Sequence, residues 1–176
     1  MKLVAILRGI NVGGKRKILM ADLKKLVEEL GGTDITTYIQ SGNVIFSSDE
    51  IDPQVWSKRL EKGIADTFGF DVPVIVLQQQ QWQELIDNNP YKNEEINQLH
   101  VTILDSLPKE ENKQKLAEVK SGADQYQIIN KAVYLFCAGK YHETKLGNNV
   151  IEKKLGVKAT TRNWKMVGKV RSLLET

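Results

Sequence analysis

Cysteine is nearly absent from this chain. Cys137 stands alone among 176 residues, so no internal disulfide can brace the fold, and a reducing, cytoplasmic setting is expected. Histidine is almost as scarce, and His100, His142 and one thiol do not supply metal-ligand spacing. The sequence implies neither a metal nor a cofactor. Long apolar runs are missing too: the start MKLVAILRG holds only Leu3 to Leu7 between Lys2 and Arg8, too few for a secretory core or a membrane span. Charge of one sign is also in short supply, since 25 Lys+Arg against 22 Asp+Glu leave +3, too little to mark a nucleic-acid binder.

What remains is a globular composition, 41% hydrophobic and 27% charged, which excludes a disordered tail or a fibrous repeat. Such a length forms one domain or two small ones and buries roughly 70% of its unfolded surface. The small net charge conceals an uneven distribution. From Lys140 to Thr176 nine basic residues meet three acidic ones, a local +6 against −3 elsewhere.

Hydrophobic periodicity predicts a strand over Lys2 to Leu7 and then a helix carrying Met20, Leu23, Leu26, Val27 and Leu30, which Gly31-Gly32 stops. Ile35 to Gln40 and Val44 to Ser47 flank Ser41-Gly42 as a hairpin. Asp52-Pro53 opens a helix with Trp56, Leu60, Ile64 and Phe68 on one face, and Val72 to Leu77 follows as a strand. After a connecting helix, Gln79 to Asn88, the pattern recurs: strand Leu99 to Leu104, helix from Pro108 to about Val119, then the hairpin Gln125 to Ile129 with Ala132 to Ala138. A helix from about Thr144 to Leu155, a short strand Val157 to Thr160 and a last helix with Trp164, Val167, Val170 and Leu174 complete it. The expected fold class is α+β, two βαββαβ-type lobes with antiparallel or mixed sheets. The first lobe spans 1–78 and contains a glycine loop, 79–97 connects, and 98–176 forms the second lobe with basic last helices.

That loop, Arg8-Gly9-Ile10-Asn11-Val12-Gly13-Gly14-Lys15-Arg16-Lys17, is the densest cluster of informative residues. Its three glycines permit positive φ and close approach of backbone N–H groups to a ligand, while four cations add charge. Gly9, four residues, Gly14 and Lys15 nearly satisfy the phosphate-loop pattern, but Arg16 stands where a magnesium-binding hydroxyl is required. Val101 to Asp105 resembles a strand ending in a magnesium-binding Asp, yet the predicted hairpins do not give the parallel sheet that such a site needs. The loop is read either as an anion site or as a connection shaped by glycine with solvated lysines.

RGINVGGKRK, MADLKKLVEELG, TYIQSGNVIF and ATTRNWKMVGKV together resemble the bacterial family catalogued as domain of unknown function 1697. The resemblance covers nearly the whole chain, departs at Lys165-Met166, and implies a two-lobed α+β fold with ferredoxin-like character and no assigned activity.

Topology groups two of these segments. In a βαββαβ unit the first two strands run parallel, so their C-terminal ends share one sheet edge. Arg8, Gly9, Asn11, Gly13, Gly14, Lys15 and Lys17 should therefore face Gln40, Ser41 and Asn43, unless Ser41 and Asn43 only satisfy their own turn. A third segment, Arg162, Asn163 and Trp164, follows Thr160 or Thr161 as a helix N-cap that would favour an anion. Arg162 suits a phosphate, and Trp164 either stacks on a base or packs in the apolar stripe. Cys137 and His142 are close in sequence, but the thiol lies in an apolar strand, where it is inert.

Three functions compete. The first is a binding module for an anionic, phosphate-bearing small molecule or nucleotide at the glycine-loop edge. The second is an RNA or single-stranded nucleic-acid binder. The third is an enzyme on a phosphorylated substrate, for which no catalytic constellation is evident.

Overall fold

The apolar run after Lys2 forms strand β1 (Lys2–Leu7), and Leu3 to Leu7 are all buried. A computed structural model describing residues 1–176 shows how the remaining segments assemble. The chain divides into two compact units, Met1–Glu84 with Lys169–Thr176, and Leu85–Gly168.

In the first unit β1 is followed by α1 (Met20–Glu29), β2 (Thr33–Tyr38), β3 (Asn43–Ser47), α2 (Pro53–Phe68), β4 (Val74–Gln78) and α3 (Gln79–Asp87). The strand order is β2-β3-β1-β4, and every pairing is antiparallel. Asp52 caps α2 by accepting from the Gln54 N–H at 2.8 Å, with Pro53 at the first helical position. Leu23, Leu26 and Val27 of α1 and Trp56, Leu60 and Ile64 of α2 cover Leu3, Ala5, Leu7, Val44, Phe46, Val74 and Val76. The alternate strand residues Val4, Ile6, Ile45 and Ile75, which point to the opposite face, are buried as well.

The second unit repeats the order with β5 (Leu99–Leu104), α4 (Glu110–Ala117), β6 (Gln125–Ile129), β7 (Ala132–Phe136), α5 (Asn148–Leu155) and β8 (Ala159–Asn163), arranged β6-β7-β5-β8 and again antiparallel throughout. Leu104, Val133, Leu135 and Cys137 pack against Leu116, Ile151 and Leu155 of the helices. Val101, Ile103 and Tyr134 on the other face are also buried. The fold is therefore α+β, with two four-stranded sheets of βαββαβ order. No helix is long and apolar enough to cross a membrane.

Several boundaries differ from the sequence reading by one to four residues, and three of the differences have a distant partner as their cause. The helix expected from Thr144 starts at Asn148, since the Thr144 hydroxyl donates to Asp124 at 2.6 Å and accepts from the Leu146 N–H at 3.2 Å, holding a turn. The last strand runs on to Asn163 because β5 offers partners as far as His100. Helix α6 (Trp164–Glu175) ends in the first unit, where Lys2 Nζ and Gln79 Nε2 donate to the Leu174 carbonyl at 2.9 and 3.4 Å.

Candidate functional site

At the end of β1 the Leu7 N–H donates to Gly42 O at 2.9 Å and the Arg8 N–H to Pro73 O at 3.0 Å. The glycine loop and the Ser41-Gly42 turn thus meet at one sheet edge, as the parallel course of β1 and β2 requires. Gly42 makes the meeting close: at φ 84°, a Cβ there would lie 2.8 Å from both Leu7 Cβ and Ile10 Cδ1.

Inside the loop the Asn11 N–H donates to Arg16 O and the Lys15 N–H to Val12 O, both at 3.1 Å. The result is a small hairpin tipped by Gly13 and Gly14, both at positive φ. The Asn11 side chain then ties this hairpin down. Its Nδ2 donates to Ile18 O at 3.0 Å and Gln40 O at 2.8 Å, and its Oδ1 accepts from the Ile18 N–H at 2.9 Å. Both donors and the acceptor are committed to backbone. Buried Asn43 behaves similarly, donating to Tyr38 O at 2.9 Å and Ser41 Oγ at 3.2 Å.

The amides shape the loop and the cations decorate it. Lys15, Arg16 and Lys17 are exposed, Arg8 is partly buried and Gly9 is exposed. No carboxylate occurs from Arg8 through Ala21 or from Ile35 through Ser48. Three apolar side chains also reach solvent here: Val12 is 66%, Leu19 70% and Ile39 47% exposed. Each is adjacent in sequence to a residue of the Asn11 network. Ile39 holds φ 52°, a strained conformation for a β-branched residue. The phosphate-loop reading fails on geometry, because a hairpin follows Gly9 and no helix starts before Met20.

The third segment lies in the second unit, and its expected role as a helix start is corrected. Thr160 to Asn163 are strand, and the cap of α6 is Asn163, whose Oδ1 accepts from the Met166 N–H at 2.9 Å. The threonine hydroxyls are engaged elsewhere: Thr161 Oγ1 lies 2.7 Å from Thr102 Oγ1 and donates to Asn148 Oδ1 at 2.9 Å. Arg162 Nη1 donates to Thr160 Oγ1 at 3.1 Å and Thr161 O at 3.0 Å. Burial lowers its guanidinium to about 10, which still leaves it charged at neutral pH. Trp164 is partly buried, with its ring 6.3 Å from that of buried Tyr134.

Two groups complete the inventory of this unit. Burial, reinforced by Asp124, raises the Cys137 thiol, so it is no nucleophile. His100, set aside in the sequence as a failed metal ligand, stacks on Tyr141 at 4.4 Å and is half-buried beside the Gln98 backbone. Burial lowers its pKa. The signal was present, since His100 alternates with Thr102 along one strand face.

Over residues 1–134 the sequence matches the family model described as a protein of unknown function, DUF1697. The chain belongs to the DUF1697 family. The matched range includes the glycine loop and the Ser41-Gly42 turn, whereas Thr160 to Trp164 lie beyond it. The fold of this DUF1697 protein is similar to that of the conserved bacterial protein SP0830 from Streptococcus pneumoniae, with a TM-score of 0.81 at 22% identity over 98% of each chain. No curated protein matches the sequence.

Asn11→Ala should lower unfolding free energy by about 2–3 kcal/mol, through three backbone groups losing their partner. Gly42→Ala should cost about 2–4 kcal/mol through overpacking and backbone strain, while exposed Lys17→Ala stays within about 0.5 kcal/mol; urea midpoints measure all three. For His100, the unfolded chain takes up the proton first as pH falls through about 6.5. The wild type should therefore lose stability more steeply than His100→Gln as pH falls below about 6.5, as read from unfolding at each pH.

Proposed function

We propose that the glycine-loop edge of the first unit binds a phosphate-bearing small molecule, with nucleotides as the leading class. The observation that carries this reading is the division of labour in the loop: the Asn11 amide holds its shape, leaving Lys15, Arg16 and Lys17 exposed with no carboxylate in the segment. Exposed Val12, Leu19 and Ile39 beside these cations favour a ligand with an apolar or planar portion over a bare anion. The buried, reduced Cys137 supports a cytoplasmic setting, and the strand order supports a ferredoxin-like description of each unit.

Nucleic acid is less well supported. Single-strand binders stack bases on exposed aromatics, but no aromatic side chain here is exposed and both faces of each sheet carry buried residues. An enzymatic reading gains no nucleophile or base at this edge.

A thermal-shift series with pyrophosphate, mono- and dinucleotides and short RNA tests the proposal. A ligand at a hundred times its dissociation constant adds about 2.7 kcal/mol, a melting rise on the order of 5–10 °C for this chain length. Lys15→Ala and Arg16→Ala should abolish the rise, and Ile39→Gly should weaken a nucleotide more than pyrophosphate. If no anionic compound shifts the melting point, or the lysine and arginine variants respond like wild type, the site is not an anion site. A hit confined to RNA, weakening steeply with salt, would favour the nucleic-acid reading instead.

A further inference from the structure

Each four-stranded sheet leaves two strands at its edges, and an edge strand is a template for another chain unless something blunts it. Three of the four are blunted. In β2 the register shifts between Thr33 and Thr36, and the exposed Asp34 sits there at φ 50°. In β4 the Val74 N–H donates to Glu61 Oε1 at 3.0 Å and the Gln78 N–H to Gln81 Oε1 at 2.8 Å, so side chains occupy both ends. In β8 the Ala159 N–H donates to Glu152 Oε2 at 2.8 Å, its carbonyl accepts from Asn148 Nδ2 at 3.1 Å, and the strand carries Arg162.

Strand β6 has none of these devices. Gln125-Tyr126-Gln127-Ile128-Ile129 contains no charge and no proline, pairs with β7 in unbroken register, and has β7 as its one extensive neighbour. The two-residue turn Asn130-Lys131 makes Ile129 and Ala132 a hydrogen-bonded pair, so the N–H and C=O of Gln125, Gln127 and Ile129 point to β7. Those of Tyr126 and Ile128 point outward.

We propose that this edge pairs with β6 of a second copy of the chain, antiparallel about a two-fold axis through Gln127. The register satisfies itself: Tyr126 exchanges both backbone hydrogen bonds with the second copy's Ile128, and Ile128 with its Tyr126, so all four outward groups are used. Tyr126 and Ile128, partly buried against the core of their own unit, become an aromatic and β-branched cross-strand pair, a favoured combination. Gln125 faces Ile129, and Gln127 faces its own copy. The absence of charge is what permits this, because in an isologous contact any charge on the axis would meet its like. Two sheets of the second-unit type then merge into one.

Gln127 provides the test, since it is exposed, its side chain hydrogen-bonds Tyr91 of its own chain, and it meets an identical side chain only in the dimer. Sedimentation over a concentration series should show a monomer–dimer equilibrium for wild type. Gln127→Glu and Gln127→Lys, each alone, should weaken dimerisation at least about tenfold by opposing like charges, and thermal melts at low concentration report separately any loss of the Tyr91 hydrogen bond. Mixing the two variants should restore the dimer, as opposite charges then face each other. A wild type that stays monomeric throughout, or a dimer indifferent to both variants, overturns the proposal; so does failure of the mixture to recover association.

Discussion

The shape of the candidate site depends on one side-chain amide. Between β1 and α1 the chain must leave the sheet, turn and return without regular structure, and such a segment loses its conformational freedom only if something holds it. Asn11 holds it with three hydrogen bonds that reach forward to the loop's own exit at Ile18 and sideways to Gln40. Its positive φ suits asparagine, which tolerates that region better than other side chains do. Because a neutral amide offers both donors and an acceptor, it can satisfy an N–H and two carbonyls at once. A lysine or arginine in its place has no acceptor to give. Lys15, Arg16 and Lys17 are thereby left to face solvent.

The burial of both sheet faces explains why attention falls on edges and loops. In each unit the strand residues pointing to the two sides are alike inaccessible: Leu3 and Val4, Phe46 and Ile45, Leu104 and Ile103. A small βαββαβ sheet usually has one open face available for recognition, as in single-strand RNA binders. Here that face carries aliphatic residues, Val4, Ile6 and Ile45 in the first unit and Val101 and Ile103 in the second, rather than the exposed aromatics on which bases stack. At the end of β1, Gly42 lets the turn come against Leu7 and Ile10 without a side chain between.

Much of the fold was legible because its signals are local. Asp52-Pro53 names a helix start by itself, and the limits of β5 and β6 follow from runs bounded by turn residues. The neighbourhood of the glycine loop and the Ser41-Gly42 turn followed from strand direction alone. What could not be read was settled by partners far along the chain. Thr144 looks like a helix start until Asp124 takes its hydroxyl. Thr161 looks like a cap until the pairing of β5 with β8 sets it beside Thr102. The last eight residues carry a stripe that continues from the second unit, and only the Leu174 carbonyl, capped by Lys2 and Gln79, shows that they belong to the first. Within the candidate site, strand direction brought the loop and the turn together, but spacing could not distinguish the side chains that build the loop from those left exposed, since it does not reveal hydrogen-bond partners.

Ile39 shows where that distinction has an energetic consequence. A β-branched residue at φ 52° costs on the order of 1–3 kcal/mol relative to glycine or asparagine, and both were sterically acceptable at so exposed a position. Packing does not explain the choice, for half the side chain lies in solvent. Turn geometry does not explain it either, because the turn is closed by Asn43 and by the backbone of Gly42. An exposed apolar group held against strain beside the exposed Lys15, Arg16 and Lys17 is the feature on which the proposed amphipathic ligand rests. On that proposal, strain at Ile39 and charge at Lys15 to Lys17 serve one requirement, and Asn11 holds the loop that carries the charge against Gln40.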